Sequence, residues 1–387
     1  MAENSESKAK TGSGSKTDET EKVCRVPLVT QPSREQLNQR QIVDYREIRR
    51  DLLTWLRDIG KTPNKGKGYA EDTVYNRGYR IDAFYRWVWN YEDQYTTAFT
   101  TQHADLYCRE LLSEDCSDNH RSNTQKALKS LFKWQEYTRN GESWEPQIQL
   151  TGSAPSRQPR DYFERNERRA LREACLEYGS VPTYRSLDSE SRTRWKRLLA
   201  QRFGIPTEDV GPDEFDRANG WKIPSMVQTA LDAGLRPKEV SRARVQWVDT
   251  ANNVLRIPPE DATKGDDAWT VAIRSQTAQS LQQWLEEREC YEKYNDSDKL
   301  WLTRESNPYA TTSLNRLLDK LCEKAGIETE HRSLTWYSIR HSVGTHMTDE
   351  RDLEAARVQL RHKSRTTTMK YDGVSNEDRR NALDRMG

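Results

Sequence analysis

The chain has 387 residues, enough for two domains, and a net charge of +1, which argues against a nonspecific polycation but leaves room for a few well-placed arginines and lysines. With 32% charged and 34% hydrophobic residues, its elements should be amphipathic, and no apolar run approaches the ~20 residues of a membrane span. The six cysteines form no C-x-x-C pair and the N-terminus lacks an apolar signal core, so reduced thiols, a cytoplasmic location and no membrane partner are expected.

Residues 1–33 begin with a run of Ser, Lys, Glu, Thr and Gly without helical period and read as a disordered tail. Residues 34–140 are helical in pattern. Apolar residues recur from Ile48 to Leu56, from Tyr75 to Val88, over 103–112 and over 122–139, which predicts a small bundle of four or five helices. Residues 141–160 carry Gly141, Pro146, Gly152, Pro155 and Pro159 and read as a linker. The second domain, 161–387, opens with an amphipathic helix over 162–178. A charged stretch of weak periodicity follows over 183–220, then a helix over 224–233. Strand-like runs at 244–248, 254–257 and 269–273 predict a small three-stranded antiparallel sheet. Helices are expected over 276–294, 311–325, 336–348, 352–361 and 364–371. The fold class is therefore mainly α: an N-terminal helical domain and an α+β domain.

Six positions in the second half form a set: Arg236 at a helix junction, Lys264 in a turn between strands, Tyr337 and Arg340 on one helix, His362, and Tyr371 nine positions later. His341 adjoins Arg340, and His346 reads as a core residue. Singly, each has an ordinary explanation as a surface cation, a solvated turn or a packed ring. Their order and spacing point further. In the N-terminal half, Lys126, Lys129 and Lys133 share a helix face flanked by Arg121 and Arg139, opposite Leu128, Leu131 and Phe132. A basic stripe of this kind suits contact with DNA phosphates. No carboxylate cluster, histidine pair at ligand spacing or phosphate-binding glycine loop is present, so neither a metal nor a cofactor is expected.

The chain resembles the tyrosine recombinase and phage integrase family. A-G-L-R-P-K-E-V around Arg236 is similar to the family's first arginine box. Y-S-I-R-H-S-V-G-T-H-M resembles the second, and L-R-H-K-S-R-T-T-T-M-K-Y the last. The helix from Thr73 to Trp89 and the segment from Asn123 to Trp134 are similar to helices of the family's core-binding domain, of SAM-like fold. Two departures stand out: Tyr337 occupies the place of a usual His, and Arg361 that of a usual Gly. A phenol can donate a hydrogen bond there but is a poor base near neutrality.

The resemblance implies site-specific cleavage and rejoining of double-stranded DNA at attachment sites, for integration or excision of a virus or mobile element. In that chemistry Tyr371 is the nucleophile, Arg236, Arg340, His362 and Tyr337 contact the phosphate, Lys264 is the general acid and His341 supports. The resemblance also implies a homotetramer on DNA.

Overall fold

The computed structural model describes residues 21–152, 161–261, 267–371 and 376–386. The chain divides into two compact units, Met1–Arg157 and Gln158–Gly387.

The first unit starts with a short hairpin, β1 (Lys22–Val23) and β2 (Val26–Pro27). Five helices follow: α1 (Gln31–Gln36), α2 (Gln39–Asp58), α3 (Glu71–Tyr91), α4 (Thr101–Ser113) and α5 (Asp118–Arg139). The apolar faces of α2 to α5 close on Leu52, Leu53, Leu56, Ile81, Phe84, Val88, Leu128 and Leu131, all essentially inaccessible to solvent. Each such side chain contributes about 1.5–3 kcal/mol of burial.

The disordered tail expected over 1–33 does not extend through 22–33. Residues 1–20 lie outside the described residues, but from 22 onward the chain docks on the bundle. Val26, Leu28 and Val29 are buried, and the Thr30, Ser33 and Tyr45 hydroxyls donate to the buried Asp82 carboxylate at 2.7, 2.9 and 3.0 Å. Arg49, buried beneath, donates to the carbonyls of Gly78 and Leu28 at 2.8 and 3.3 Å. The segment docks through its apolar side chains and through hydroxyls that satisfy a buried carboxylate.

The linker expected over 141–160 is corrected in its first part. Trp144 and Leu150 are buried in the bundle, and Gln125 fixes the strand-like segment by donating to the Ile148 carbonyl (2.7 Å) and accepting from the Leu150 amide (3.0 Å). Residues 153–160 lie outside the described residues.

The second unit runs α6 (Arg165–Leu176), α7 (Ser189–Phe203), α8 (Pro212–Arg217), α9 (Lys222–Ala233) and α10 (Pro237–Arg242). Next come β3 (Val248–Asp249), β4 (Val254–Ile257) and β5 (Trp269–Ala272), then α11 (Ser275–Arg288), α12 (Thr311–Lys324), α13 (Trp336–Glu350), α14 (Leu353–Gln359), α15 (Arg365–Thr368) and α16 (Asn376–Met386). Helix α9 is the centre of the core. Met226, Val227, Ala230 and Leu231 are fully buried, with Trp247, Trp284, Trp301 and Trp336 packed in the same cluster.

The sheet is antiparallel in the order β3-β4-β5, with Leu255 opposite Val271 and Ile257 opposite Trp269. Leu255, Ile257 and Val271 face the core, while Arg256 points out and pairs with Asp249 at 2.7 Å. The first expected strand is mostly a 3-10 turn, Val245–Trp247, because the Trp247 ring turns inward and its indole N–H donates to Asp261 at 3.0 Å. The helix expected over 276–294 ends at Arg288 and is followed by a separate turn, Glu292–Tyr294.

The 183–220 stretch builds a small core of its own. Trp195, Leu198, Leu199, Val210 and Phe215 gather with Cys290. The insert is tied to the end of α11 by Arg202, which donates to buried Glu287 at 3.1 Å.

Candidate active site

The α9 helix ends at Gly234, whose φ of +58° makes the left-handed turn that L side chains resist. Pro237 then starts α10 and leaves Arg236 as its N-cap. Glu239, in the first turn of α10, reaches back. One carboxylate oxygen accepts from the Arg236 amide at 2.7 Å and the other from its guanidinium at 2.7 Å. The side chain and backbone of Arg236 are thus fixed by a single residue.

Helix α13 brings Arg340 to the same place. Arg340 is buried, donates to the Gly234 carbonyl at 2.7 Å and to the Leu360 carbonyl, and lies 3.9 Å from Glu239. Arg361 adds a third guanidinium, donating to Glu239 at 2.8 Å. Three guanidiniums against one carboxylate leave an excess of two positive charges in a nearly dry environment. Burial pushes the Glu239 carboxyl up, but Arg361, Arg236 and Arg340 outweigh it and hold it well below the usual carboxylate range. Burial, then repulsion from Arg361 and Arg236, brings the Arg340 guanidinium down to about 9.

Tyr371 closes the arrangement from a 3-10 turn, Met369–Tyr371, that follows the four-residue helix α15. Its ring is buried against Val343 and Leu360. It fits because residue 344 is Gly: a Cβ there would stand 2.5 Å from Cε2 and Cζ of Tyr371. The Tyr371 hydroxyl is 3.0 Å from His341 Nδ1, and the His362 ring lies parallel to the Tyr371 ring at 6.3 Å between centroids. His362 Nδ1 is 2.9 Å from the Thr368 hydroxyl. Burial first, then Arg340, Lys370, Arg236 and Arg361, lowers the His362 imidazole to about 3, so it is neutral at physiological pH.

The structure therefore gathers Arg236, Arg340, His341, His362 and Tyr371. Tyr337 stands at the edge, 43% exposed, its ring 6.4 Å from that of His341. Lys264 lies outside the described residues. His346 is buried and bonds the Phe163 carbonyl at 2.9 Å, as a core histidine would. Sequence reasoning missed Glu239, Arg361 as an ion-pair partner, Gly344 and Thr368. Glu239 carried a signal, since a Glu three positions after a helix N-cap commonly reaches back to it.

Residues 214–378 match the phage integrase family. The matched stretch lies within the second unit, and the curated relatives it resembles are tyrosine recombinases. Among curated relatives, a tyrosine recombinase XerC of Chlamydia caviae is 27% identical over 163 residues, 42% of this chain and 50% of the relative. A XerC of Corynebacterium efficiens is 26% identical over 166 residues, 43% of this chain and 49% of the relative. The chain spans about half the length of these relatives in the matched region. The crystal structure of XerH site-specific recombinase bound to difH substrate superposes with a TM-score of 0.51 at 16% identity, covering 89% of this chain and 88% of that one. At that identity the likeness speaks for the fold.

Four of the five basic residues singled out in the first unit have partners within it. Arg121 donates to the carbonyls of Leu111 and Glu114 at 2.9 and 2.8 Å, capping the C-terminus of α4. Lys133 donates to the Lys61 carbonyl at 3.0 Å and Lys129 pairs with Glu145 at 3.3 Å. Arg139 lies over the Trp134 ring at 4.5 Å, and Lys126 is exposed.

Proposed function

We propose that this chain is a site-specific DNA recombinase that cuts and rejoins double-stranded DNA through a 3′-phosphotyrosine at Tyr371, for integration or excision of a virus or mobile element. The observation that carries the proposal is the placing of the Tyr371 hydroxyl 3.0 Å from His341 Nδ1, in a pocket that also contains two buried or half-buried arginines and a neutral histidine.

The Tyr371 oxygen attacks the scissile phosphorus while His341 Nδ1, when unprotonated, takes the hydroxyl proton. The bond from phosphorus to the 5′-oxygen breaks, and that oxygen takes a proton from Lys264. Arg236 and Arg340 bind the non-bridging oxygens, whose charge grows in the transition state. With the Thr368 hydroxyl donating to His362 Nδ1, the Nε2–H is left to donate to the same phosphate. Tyr337, at the rim, adds a phenolic donor. The phosphotyrosine bond retains the phosphodiester energy, so a 5′-hydroxyl from another strand can reverse the step and complete exchange.

The partners are double-stranded attachment sites and three further copies of the chain, with DNA phosphates also meeting the first unit. Among the described residues no helix is long and apolar enough to cross a membrane, and we assign action to the cytoplasm, where the DNA is.

The test is to incubate the protein with nicked duplexes tiled across the DNA flanking its gene, denature, and look for a slow-migrating adduct. Wild type should form one and Tyr371→Phe none. DNA binding without any adduct would instead favour a binding protein of the same fold.

A further inference from the structure

Arg361 is an unusual residue for its position. Its φ is +57°, in the left-handed region that side chains with a Cβ adopt at a cost, yet it is a long cation and is buried. Strain of this kind persists where surrounding contacts over-determine it. Here those contacts are five. The guanidinium donates to the Ala233 and Gln359 carbonyls at 2.7 Å each, to the Gly234 carbonyl at 3.3 Å, and to both Glu239 oxygens at 2.8 and 3.4 Å. It thereby joins the last turn of α9, the first turn of α10 and the segment bearing His362. Arg340 uses the same Gly234 carbonyl.

We infer that Arg361 is a positioning residue for the cleavage reaction: by sharing Glu239 and holding the end of α9, it fixes Arg236 and Arg340 and leaves more of their positive charge for the scissile phosphate. This rests on the cleavage reading above. Without Arg361, Glu239 would be divided between the two phosphate-binding arginines alone, and half the excess charge of the cluster would vanish. Among the described residues, the charged groups facing Glu239 include Arg361, Arg236 on its own turn and Arg340 on α13. Arg361 exerts the strongest of the three downward pulls on the carboxyl, against the larger opposing effect of burial. The same three arginines and Lys370 act on His362.

The experiment compares full-length wild type, Arg361→Gly, Arg361→Lys, Glu239→Gln and the Arg361→Gly/Glu239→Gln double variant. The readout is single-turnover adduct formation on a nicked duplex that wild type cleaves. Glycine adopts this backbone without strain, so Arg361→Gly should fold and bind DNA. Its adduct should form on the order of tenfold to a hundredfold more slowly. Arg361→Lys should recover part of the rate. In the Glu239→Gln background, removing Arg361 should cost less than it does in wild type. If Arg361→Gly fails to melt cooperatively, Arg361→Lys carries the test: slower than wild type, because the planar fork is lost, and with a smaller loss in the Glu239→Gln background. An Arg361→Gly rate equal to that of wild type, or the same loss with and without Glu239, overturns the inference while leaving the cleavage reading intact. A wild type that forms no adduct on any duplex removes the reading itself, and this inference with it.

Discussion

Gly344 and Tyr371 share one space: a methyl group on Gly344 would sit 2.5 Å from the Tyr371 ring. The contact sets where the proposed nucleophile rests, since the ring has Val343 and Leu360 as its other apolar neighbours. Gly344→Ala should raise the intrinsic propensity of α13 but push Tyr371 from its pocket. Overpacking of this kind typically costs about 1–3 kcal/mol. The expected result is a modest fall in Tm with adduct formation slowed on the order of tenfold or more, read by thermal melts and single-turnover assays on one preparation. Full activity in a stably folded Gly344→Ala would show that Tyr371 does not need this seat.

His341 is the group placed to accept the Tyr371 proton. His341→Ala should slow adduct formation by ~10²–10⁴-fold, the range of general-base effects, with DNA affinity little changed. Tyr337→Phe should cost far less, because Tyr337 stands at the solvent edge. A Tyr337→Phe loss equal to that of His341→Ala would contradict the placing of Tyr337 at the rim and of His341 as the base.

His362 predicts a pH-dependent stability. An unfolded imidazole takes its proton near pH ~6.5, and the folded one only near about 3. The unfolded state therefore binds more protons within that window. Stability from His362 is fully present above the unfolded value and is lost as pH falls through it toward the folded one. Tm should decline on acidification across this range, and His362→Asn should flatten that part of the curve. An identical decline in both proteins would rule out His362 as its source.

In the first unit, Lys126 and Lys133 should behave oppositely. Lys126 is exposed, and Lys126→Ala should weaken DNA binding and reduce its salt dependence by about one phosphate contact with no change in Tm. Lys133 donates to backbone carbonyls beyond α2, so Lys133→Ala should lower Tm instead. Equal effects of the two on DNA binding would argue for a continuous basic stripe.

Most helices were readable from periodicity, and Arg236, Arg340, His362 and Tyr371 from their order and spacing. What stayed hidden depended on contacts between segments far apart in sequence. The 22–33 segment reads as tail because its short apolar run, Val23 to Val29, has no helical period, and its polar docking uses Thr30 and Ser33 on a buried Asp82. The core of the 183–220 insert joins one helical turn, Trp195, Leu198 and Leu199, to Val210 and Phe215 beyond it, and the charged residues between them mask the pattern. Arg361 read as a departure from a usual Gly, and only its partner Glu239, 122 positions away, explains how an arginine is held there. Gly344 gave no signal, since its need for a missing Cβ comes from a ring 27 positions later (371 − 344).

The most direct measurement is the chemical identity of the linkage. A wild-type adduct on a nicked duplex should be digested with protease and nuclease and the nucleotide-bearing peptide sequenced by mass spectrometry. The account predicts a single modified residue, Tyr371, joined to a DNA 3′-phosphate. A nucleotide on Tyr337 or any other residue, or a 5′-phosphate linkage, would contradict it.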